Sequence, residues 1–589
     1  MTSAGLPRRR RAVAAFGWTA AAVPPIAFMA VFFAYPVLTV VADGFAGLGE
    51  VLGRPAIRGV LWFTVWQAVV STVLTLAVGV PAAAAWARLR PRSRRIVRAV
   101  VTVPFVLPTV VVAGAFEAVF ERFGLRGGAL SLRHSVWAIL AAHVFFNYAV
   151  VVRTVGSWWT GLDGRNVDAA AVLGATPLRA FRYVTWPLLR PAVAVAATVT
   201  FLFSFTSFGV ILVLGGPARA TVETEIYRYA ITRLDFATAS ALALCQLAAV
   251  AALVALAGVV ERRRASVRRA PRSAAPQRHR GVIAVNAALG LILLGAPLMS
   301  LVERAFATGD GYGVANFTAL ARRVQLLPAT ALEALGHSLG FAAIAALIAA
   351  VVGALASSVI VGGRTVGNRR LRATAPIEAC AGETDEAESQ AGCYRSRRPR
   401  RALGRPSRRL RRRGGLRIVL DIGSTLPLGV SAVTVGLGML LALDVPPLDF
   451  RTAWWIIPVA HALVGMPFVV RTLVPTLRSI DHRLREAASV LGATPLRARR
   501  EVDVPIASRA LAVGAAFAFA VSLGEFGATA FLPRRPDTLT APLALYRLLG
   551  TPGAALRGQA MALAVVLMVV TAASVLVIEG MRRTDESLF

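Results

Sequence analysis

The sequence predicts an all-α, polytopic membrane protein of about 12 transmembrane helices, arranged as two parallel six-helix repeats. Three observations predict it. Apolar residues make up 56% of the 589 and charged residues only 16%; mean hydropathy is +0.64. One soluble core cannot hide that much apolar surface, and disordered chains are poor in it. Apolar runs near the length of about 20 residues that crosses a bilayer recur along the chain. Finally, an octapeptide occurs twice, letter for letter.

The apolar runs lie at 13–41, 60–87, 99–120, 136–160, 191–213, 238–260, 281–303, 336–363, 418–443, 452–476, 510–532 and 557–579. The first follows Arg8 to Arg11. It exceeds the roughly 7–15 apolar residues of a cleaved signal peptide, so it reads as an uncleaved first helix. Arg clusters alternate along the chain: Arg8–Arg11, Arg88–Arg95, Glu261–Arg269, then Arg582 and Arg583. With twelve spans they fall on one side, which the positive-inside rule makes the cytoplasm. Both termini are therefore expected to be cytoplasmic. The loops 43–59, 214–237 and 533–555 are expected on the opposite side.

The basic excess, 65 against 30 acidic residues, consists entirely of Arg. Without Lys there is no P-loop, whose phosphate cradle needs Gly-Lys-Ser/Thr, and no Schiff-base lysine. No ATP hydrolysis through a P-loop is expected in this chain. The Arg residues sit between apolar runs rather than on one basic face, which argues against nucleic-acid binding. Cys245, Cys380 and Cys393 make neither a disulfide framework nor a zinc set, so no metal site is expected.

The duplicated stretch is Leu173-Gly-Ala-Thr-Pro-Leu-Arg-Ala180, which recurs as Leu491 to Ala498 at an offset of 318. The same offset relates Asp168-Ala169-Ala170 to Glu486-Ala487-Ala488, Pro187 to Pro505, His143 to His461, Asp163 to Asp481, Ser204 to Ser522, and Phe208-Gly209 to Phe526-Gly527. Six spans separate the copies, so both loops face one side and the repeat is parallel, with halves at 1–280 and 281–589. Earlier in each half Gly79 aligns with Gly353 at an offset of 274. The second half thus carries roughly 44 additional residues, placed at 364–415. That segment is acidic, then rich in Arg and Pro, and is expected to be disordered. A tolerated loop, a reading-frame error and a regulatory insert all remain readings of it.

Within each loop, at about 163–190 and 481–509, the pattern predicts a helix ended by Gly174 or Gly492 in the left-handed conformation. A second short helix is expected to start at Thr176-Pro177 or Thr494-Pro495 and to end at Pro187 or Pro505. Each half would present the same rigid element to the same side, which suits two copies of a soluble partner.

These residues resemble the "EAA" loop of binding-protein-dependent ABC importer permeases. The match is Asp168-Ala-Ala-x3-Gly174-x12-Pro187 and Glu486-Ala-Ala-x3-Gly492-x12-Pro505. The first copy departs by Asp168 for Glu. Fused double permeases of this kind occur among thiamine and ferric iron importers. The thiamine branch is similar in Ala141 to Asn147, Leu214 to Pro217 with Glu225 to Tyr227, and Ser522 to Gly527. The resemblance implies a cell-membrane permease moving a small substrate, thiamine or ferric iron, by alternating access. It implies two copies of a separate ATPase subunit that uses ATP and Mg, and an extracytoplasmic binding protein. It assigns ATPase coupling to Asp168, Ala169, Ala170, Gly174, Pro177, Pro187, Glu486, Ala487, Ala488, Gly492, Pro495 and Pro505. No catalytic residue and no cofactor bound by this chain is expected. The alternative is an ion-coupled secondary carrier, since some of these also have parallel halves.

Ionisable groups inside spans are functional candidates. Glu525, in place of Ser207 of the first half, would attract a cation if it faced a central path. It could instead bond a local Ser or backbone N–H. Ser522, Ser207, His143, Asn147 and His461 are further path candidates, with interhelical hydrogen bonding the better reading of the two histidines. Arg153 and Arg471 are read as snorkelling, and the Trp residues near span ends as an interfacial belt.

Overall fold

The computed structural model describes residues 21–264, 280–372 and 418–583, apart from 128–130, 310, 445, 447, 451, 533 and 534. Helix dominates, as the bilayer requires when every backbone group must find an internal partner. The first half runs α1 (Ala21–Gly53), α2 (Pro55–Ala87), α3 (Pro91–Val106), α4 (Thr109–Arg122), α5 (Val136–Thr160), α6 (Arg165–Val172), α7 (Pro177–Phe205), α8 (Gly209–Leu214), α9 (Val222–Tyr227) and α10 (Phe236–Leu256). The second half runs α11 (Gly281–Phe306), α12 (Ala331–Val361), α13 (Ala432–Ala442), α14 (Ile456–Ser479), α15 (His482–Val490), α16 (Leu496–Leu523), α17 (Ala541–Gly550) and α18 (Ala554–Met581). A two-residue hairpin, β1 (Ala307–Thr308) with β2 (Gly311–Tyr312), follows α11.

Among the described residues ten helices are long and apolar enough to cross a membrane. The third and ninth expected spans are the exceptions. The third is α3 and α4, bent by 97°. Pro108 forces Leu107 into extended backbone, ψ 141°, and stops α3 there. The ninth is interrupted after residue 423, and α13 has only 11 residues, about 16 Å of rise. Pro427 and Gly429 lie at that break. The same Leu-Pro pair, Leu107-Pro108 and Leu426-Pro427, thus breaks the corresponding element in each half.

Other expectations shift. The segment 43–59 is not a loop: α1 and α2 are separated by Arg54 alone. The segments 214–237 and 533–555 fold inward, and α9 and α17 bury most of their residues. A Thr221–Thr224 capping box starts α9, and Thr64 Oγ1 accepts from the Val222 N–H at 3.0 Å. These bonds satisfy backbone that no water reaches. Helical backbone continues beyond α12 to Arg372, into the segment read as an insert; residues 373–417 lie outside the described ones, as do Arg8–Arg11, Cys380 and Cys393.

Each half is built on a helix trio, α2–α5–α7 and α12–α14–α16. Close approach is set by several glycines, two of which match in the repeat. A Cβ on Gly79 would lie 2.7 Å from Val151, and one on Gly353 2.8 Å from Val469. Val151 and Val469 are themselves 318 apart, so the repeat extends to this contact. The leading helices cross over. α1 packs on α10 and on α13 of the other half; α11 packs on α18 and on α4. One buried core, including Val110, Val222, Ile226, Val433, Phe531 and Leu545, joins the halves.

The glycine contacts make a stability prediction. Gly353→Val should cost about 1–3 kcal/mol by overpacking and lower the Tm of the detergent-solubilised protein by several degrees. Val469→Ala in the same chain should restore part of the loss. An unchanged Tm in the single variant would show that α12 and α14 separate freely.

Candidate functional site

The two loops adopt one geometry. In the first, Gly174 has φ +79°; in the second, Gly492 has φ +82°. The Ala175 N–H donates to the Ala170 carbonyl at 2.9 Å, and the Ala493 N–H to the Ala488 carbonyl at 3.0 Å. Leu173 and Leu491 donate to the Ala169 and Ala487 carbonyls, both at 3.1 Å. This is a Schellman cap, and it gives the Ala-Ala pair of each motif a structural part. Thr176 and Thr494 then cap the next helix, accepting from the Arg179 and Arg497 N–H groups at 3.4 and 3.3 Å. Asp163 and Asp481 cap the entry, accepting from Arg165 and Arg483 at 3.1 and 3.0 Å.

Pro187 and Pro505 do not end the second helix, contrary to expectation. The chain passes through a π-turn, Phe181–Thr185 or Arg499–Asp503, and runs on into α7 or α16. A widened turn accommodates a proline ring that would otherwise strike the carbonyl four residues back. Each loop is therefore continuous with a membrane helix. The loops also expose apolar side chains: Val172 is 88% and Leu173 87% exposed, Val490 85% and Leu491 87%. Leu178 and Leu496 are exposed beside them. Asp168, Pro177, Pro187, Glu486 and Pro505 lie on the same exposed surface. Each half thus exposes the same pair of apolar side chains at its loop tip. The second copy alone carries an Arg485–Asp503 ion pair of 2.7 Å, tying α15 to the π-turn.

The intramembrane candidates separate into two groups. His461 Nδ1 meets the Ser522 hydroxyl and Nε2 the Thr529 hydroxyl, both at 2.8 Å. His143 Nδ1 meets Ser71 at 3.0 Å, and the Asn147 amide donates to Ser204 at 3.2 Å. His461, His143 and Asn147, with Ser522, lie in interhelical bonds. Arg153 is not simply snorkelling: it donates to Thr102 on α3 at 3.2 Å. Glu525 and Ser207 lie elsewhere, next to Phe526 and Phe208 where the halves meet. The Glu525 carboxylate accepts from the Ala528 N–H at 2.8 Å.

That meeting place was only partly legible. Phe208 and Phe526, matched in the repeat, stack at 5.2 Å with planes 19° apart. Tyr227 and Tyr546 flank them at 5.5 and 5.4 Å. Glu223 on α9 is fully buried there, beside Gln246 of α10. Sequence reasoning missed Glu223, because 214–237 read as an exterior loop. The signal was present in three closely spaced features: two acids, Glu223 and Glu225, and the Thr221–Thr224 cap.

His461→Ala should destabilise the protein more than His143→Ala. It removes two hydrogen bonds to buried hydroxyls, Ser522 and Thr529, rather than one, at about 0.5–1.5 kcal/mol each. Thermal unfolding of the two purified variants, compared with the parent, checks the order.

The model for "binding-protein-dependent transport system inner membrane component" matches the chain twice, at residues 76–266 and 403–582. A thiamine transport system permease protein of Brucella abortus (strain 2308) is 24% identical over 534 residues, 87% of each chain. That of Escherichia coli (strain K12) is 26% identical over 508 residues, 84% of this chain and 83% of the relative. A molybdenum transport system permease protein of Mycobacterium tuberculosis (strain ATCC 25618 / H37Rv) is 34% identical over 209 residues, 34% of this chain and 78% of the relative. With its duplicated loop and two matched regions, the chain belongs to the family of binding-protein-dependent transport system inner membrane components.

Proposed function

We propose that this permease imports thiamine, delivered by an extracytoplasmic binding protein and driven by two copies of a separate ATPase subunit. The observation that carries the coupling half of this reading is the pair of superposable loops, each rigidly capped, apolar at its tip and continuous with a membrane helix. Motion of a partner gripping Val172-Leu173 and Val490-Leu491 would reach α7 and α16 without a flexible joint. The halves would then tilt about their shared core, and the path would open alternately to either side. An ion-coupled carrier has no use for two such elements. ATP and Mg would be held by the partner. The loops would face the cytoplasm, with both termini on that side, as the Arg clusters suggest.

The thiamine half rests on relatives that match most of the chain. The interior supports a cationic cargo: Glu223 and Glu525 are buried where the halves meet. A cation arriving there would favour their ionised form, and an anion would not. Ferric iron is the remaining cation of the sequence reading.

Two measurements test this. Gly174→Val with Gly492→Val forces a branched side chain into the left-handed conformation at both caps. The double variant should insert normally, lose co-purification with the ATPase and lose energy-dependent uptake. Normal uptake would remove the coupling role of the loops. Cells expressing the permease with its ATPase and binding protein should accumulate labelled thiamine, competed by unlabelled thiamine and not by ferric iron. Accumulation of iron instead would keep the coupling argument and change the cargo.

A further inference from the structure

Five glutamates are buried among the described residues: Glu117, Glu223, Glu225, Glu525 and Glu579. Three have an arginine. Glu117 pairs with Arg126 at 2.9 Å, Glu225 with Arg228 at 2.5 Å, and Glu579 with Arg98 at 3.1 Å. Glu223 and Glu525 have none among the described ion pairs, and the two carboxyls lie within electrostatic reach of each other. Glu223 is 0% exposed. One of its oxygens accepts from the Gln246 amide; the other, Oε2, has no hydrogen-bond partner, nor does Gln246 Oε1. The Ser431 hydroxyl of the second half also acts on this carboxyl. It therefore lies between Gln246 of its own half and Ser431 of the other.

The surroundings are aromatic. Phe208 and Phe526 are equivalent in the repeat and stack on each other. A residue that touches its own repeat partner lies on the pseudo-twofold axis. These rings thus close the axis between the halves. Tyr227 packs on Phe208, and Phe531 meets Tyr227 edge-on at 5.8 Å. Two neighbouring carboxyls without a counter-ion, inside a membrane protein, form a costly arrangement. Arginine relieves that cost at every other buried glutamate. At the axis the relief is left for something that comes and goes.

We propose that Glu223 and Glu525, with the rings of Phe208, Phe526 and Tyr227, form a transient binding site for a singly charged organic cation on the path between the halves. Glu223 reads the charge. Glu525, held by the Ala528 N–H, brings a second carboxyl to the site, and the ring faces take the body of the cation. This rests on the permease reading above and adds the site and its selectivity. The ring stack closes the axis when the site is empty and parts around the cargo when the halves tilt.

The test uses the complete transporter, with ATPase and binding protein, in proteoliposomes. Glu223→Gln keeps the shape and a hydrogen bond to Gln246 but removes the charge. Thiamine uptake should fall about tenfold or more, with assembly and ATP hydrolysis retained and Tm no lower than the parent's; Glu223→Asp should retain more uptake than Glu223→Gln. Parental uptake in Glu223→Gln would overturn the proposal, because the carboxyl then acts uncharged. Loss of assembly or of ATP hydrolysis together with uptake would also overturn it, by making the residue structural. If the parent itself moves no thiamine, the cargo reading fails separately, and the site is tested by ligand-induced stabilisation. Choline should then raise the Tm of the parent more than its neutral isostere 3,3-dimethylbutanol, and Glu223→Gln should abolish the difference. Equal shifts from both compounds would overturn the site as well.

Discussion

The stack of Phe208 on Phe526 is the contact on which the two-half architecture depends. It is the place where a residue meets its own repeat equivalent, so it defines the axis about which everything else is doubled. The shared core is arranged around it: α8 and α9 from one half, α13 and α17 from the other, and α4 between them. The rings are large, apolar and flat. They hold by area and by offset stacking rather than by directed bonds. Such a contact can part and re-form, whereas an interlocked hydrogen-bond network would resist sliding. The crossed-over leading helices complement it. Because α1 packs on α13 and α11 packs on α4, the halves are also clasped by these helices.

At the loops the physical logic is reversed. There the structure is fixed by directed bonds and backbone geometry, with little burial. Gly174 and Gly492 take the left-handed turn, the Ala-Ala carbonyls close the Schellman caps, and Thr176 and Thr494 cap the following helices. The apolar side chains are left outside. A soft axis and stiff handles are what a lever between two bodies requires. The π-turns at Phe181–Thr185 and Arg499–Asp503 join the two regimes, letting proline sit in a helix that must stay continuous.

Much of this was legible in the sequence, for identifiable reasons. The number of halves, the loop geometry and most spans follow from signals that act locally: apolar length, glycine at a cap, Thr-Pro at a helix start. The α5 boundaries, Val136–Thr160, coincide with the expected 136–160. What failed depends on tertiary surroundings. A proline ends a helix in isolation, yet Pro187 and Pro505 are absorbed by a neighbouring π-turn. A polar segment between spans reads as solvent-exposed, yet residues 221–226 are buried, packed against α10 and α2 of their own half and α13 of the other. Glu223 was lost for that reason. The Leu-Pro breaks at 107–108 and 426–427 were readable but were outvoted by the apolar run around them.

The repeat finally separates what the fold needs from what one half alone does. In the first half Gln67, Ser71, His143, Asn147, Thr200 and Ser204 line the contact of α2, α5 and α7. At the equivalent positions the second half has Phe341, Ala345, His461, Gly465, Ala518 and Ser522. Four of the six polar groups are replaced by apolar or absent side chains, and the helix trio is the same. Polarity there is therefore not a requirement of packing. The loops show the opposite, an identical octapeptide held through 318 residues of separation. Identity at the surface and divergence inside fit a machine whose two drives are alike and whose cargo, lacking twofold symmetry, meets two unlike walls. Glu525 against Ser207, and Glu223 against Ala541, place that inequality directly on the axis.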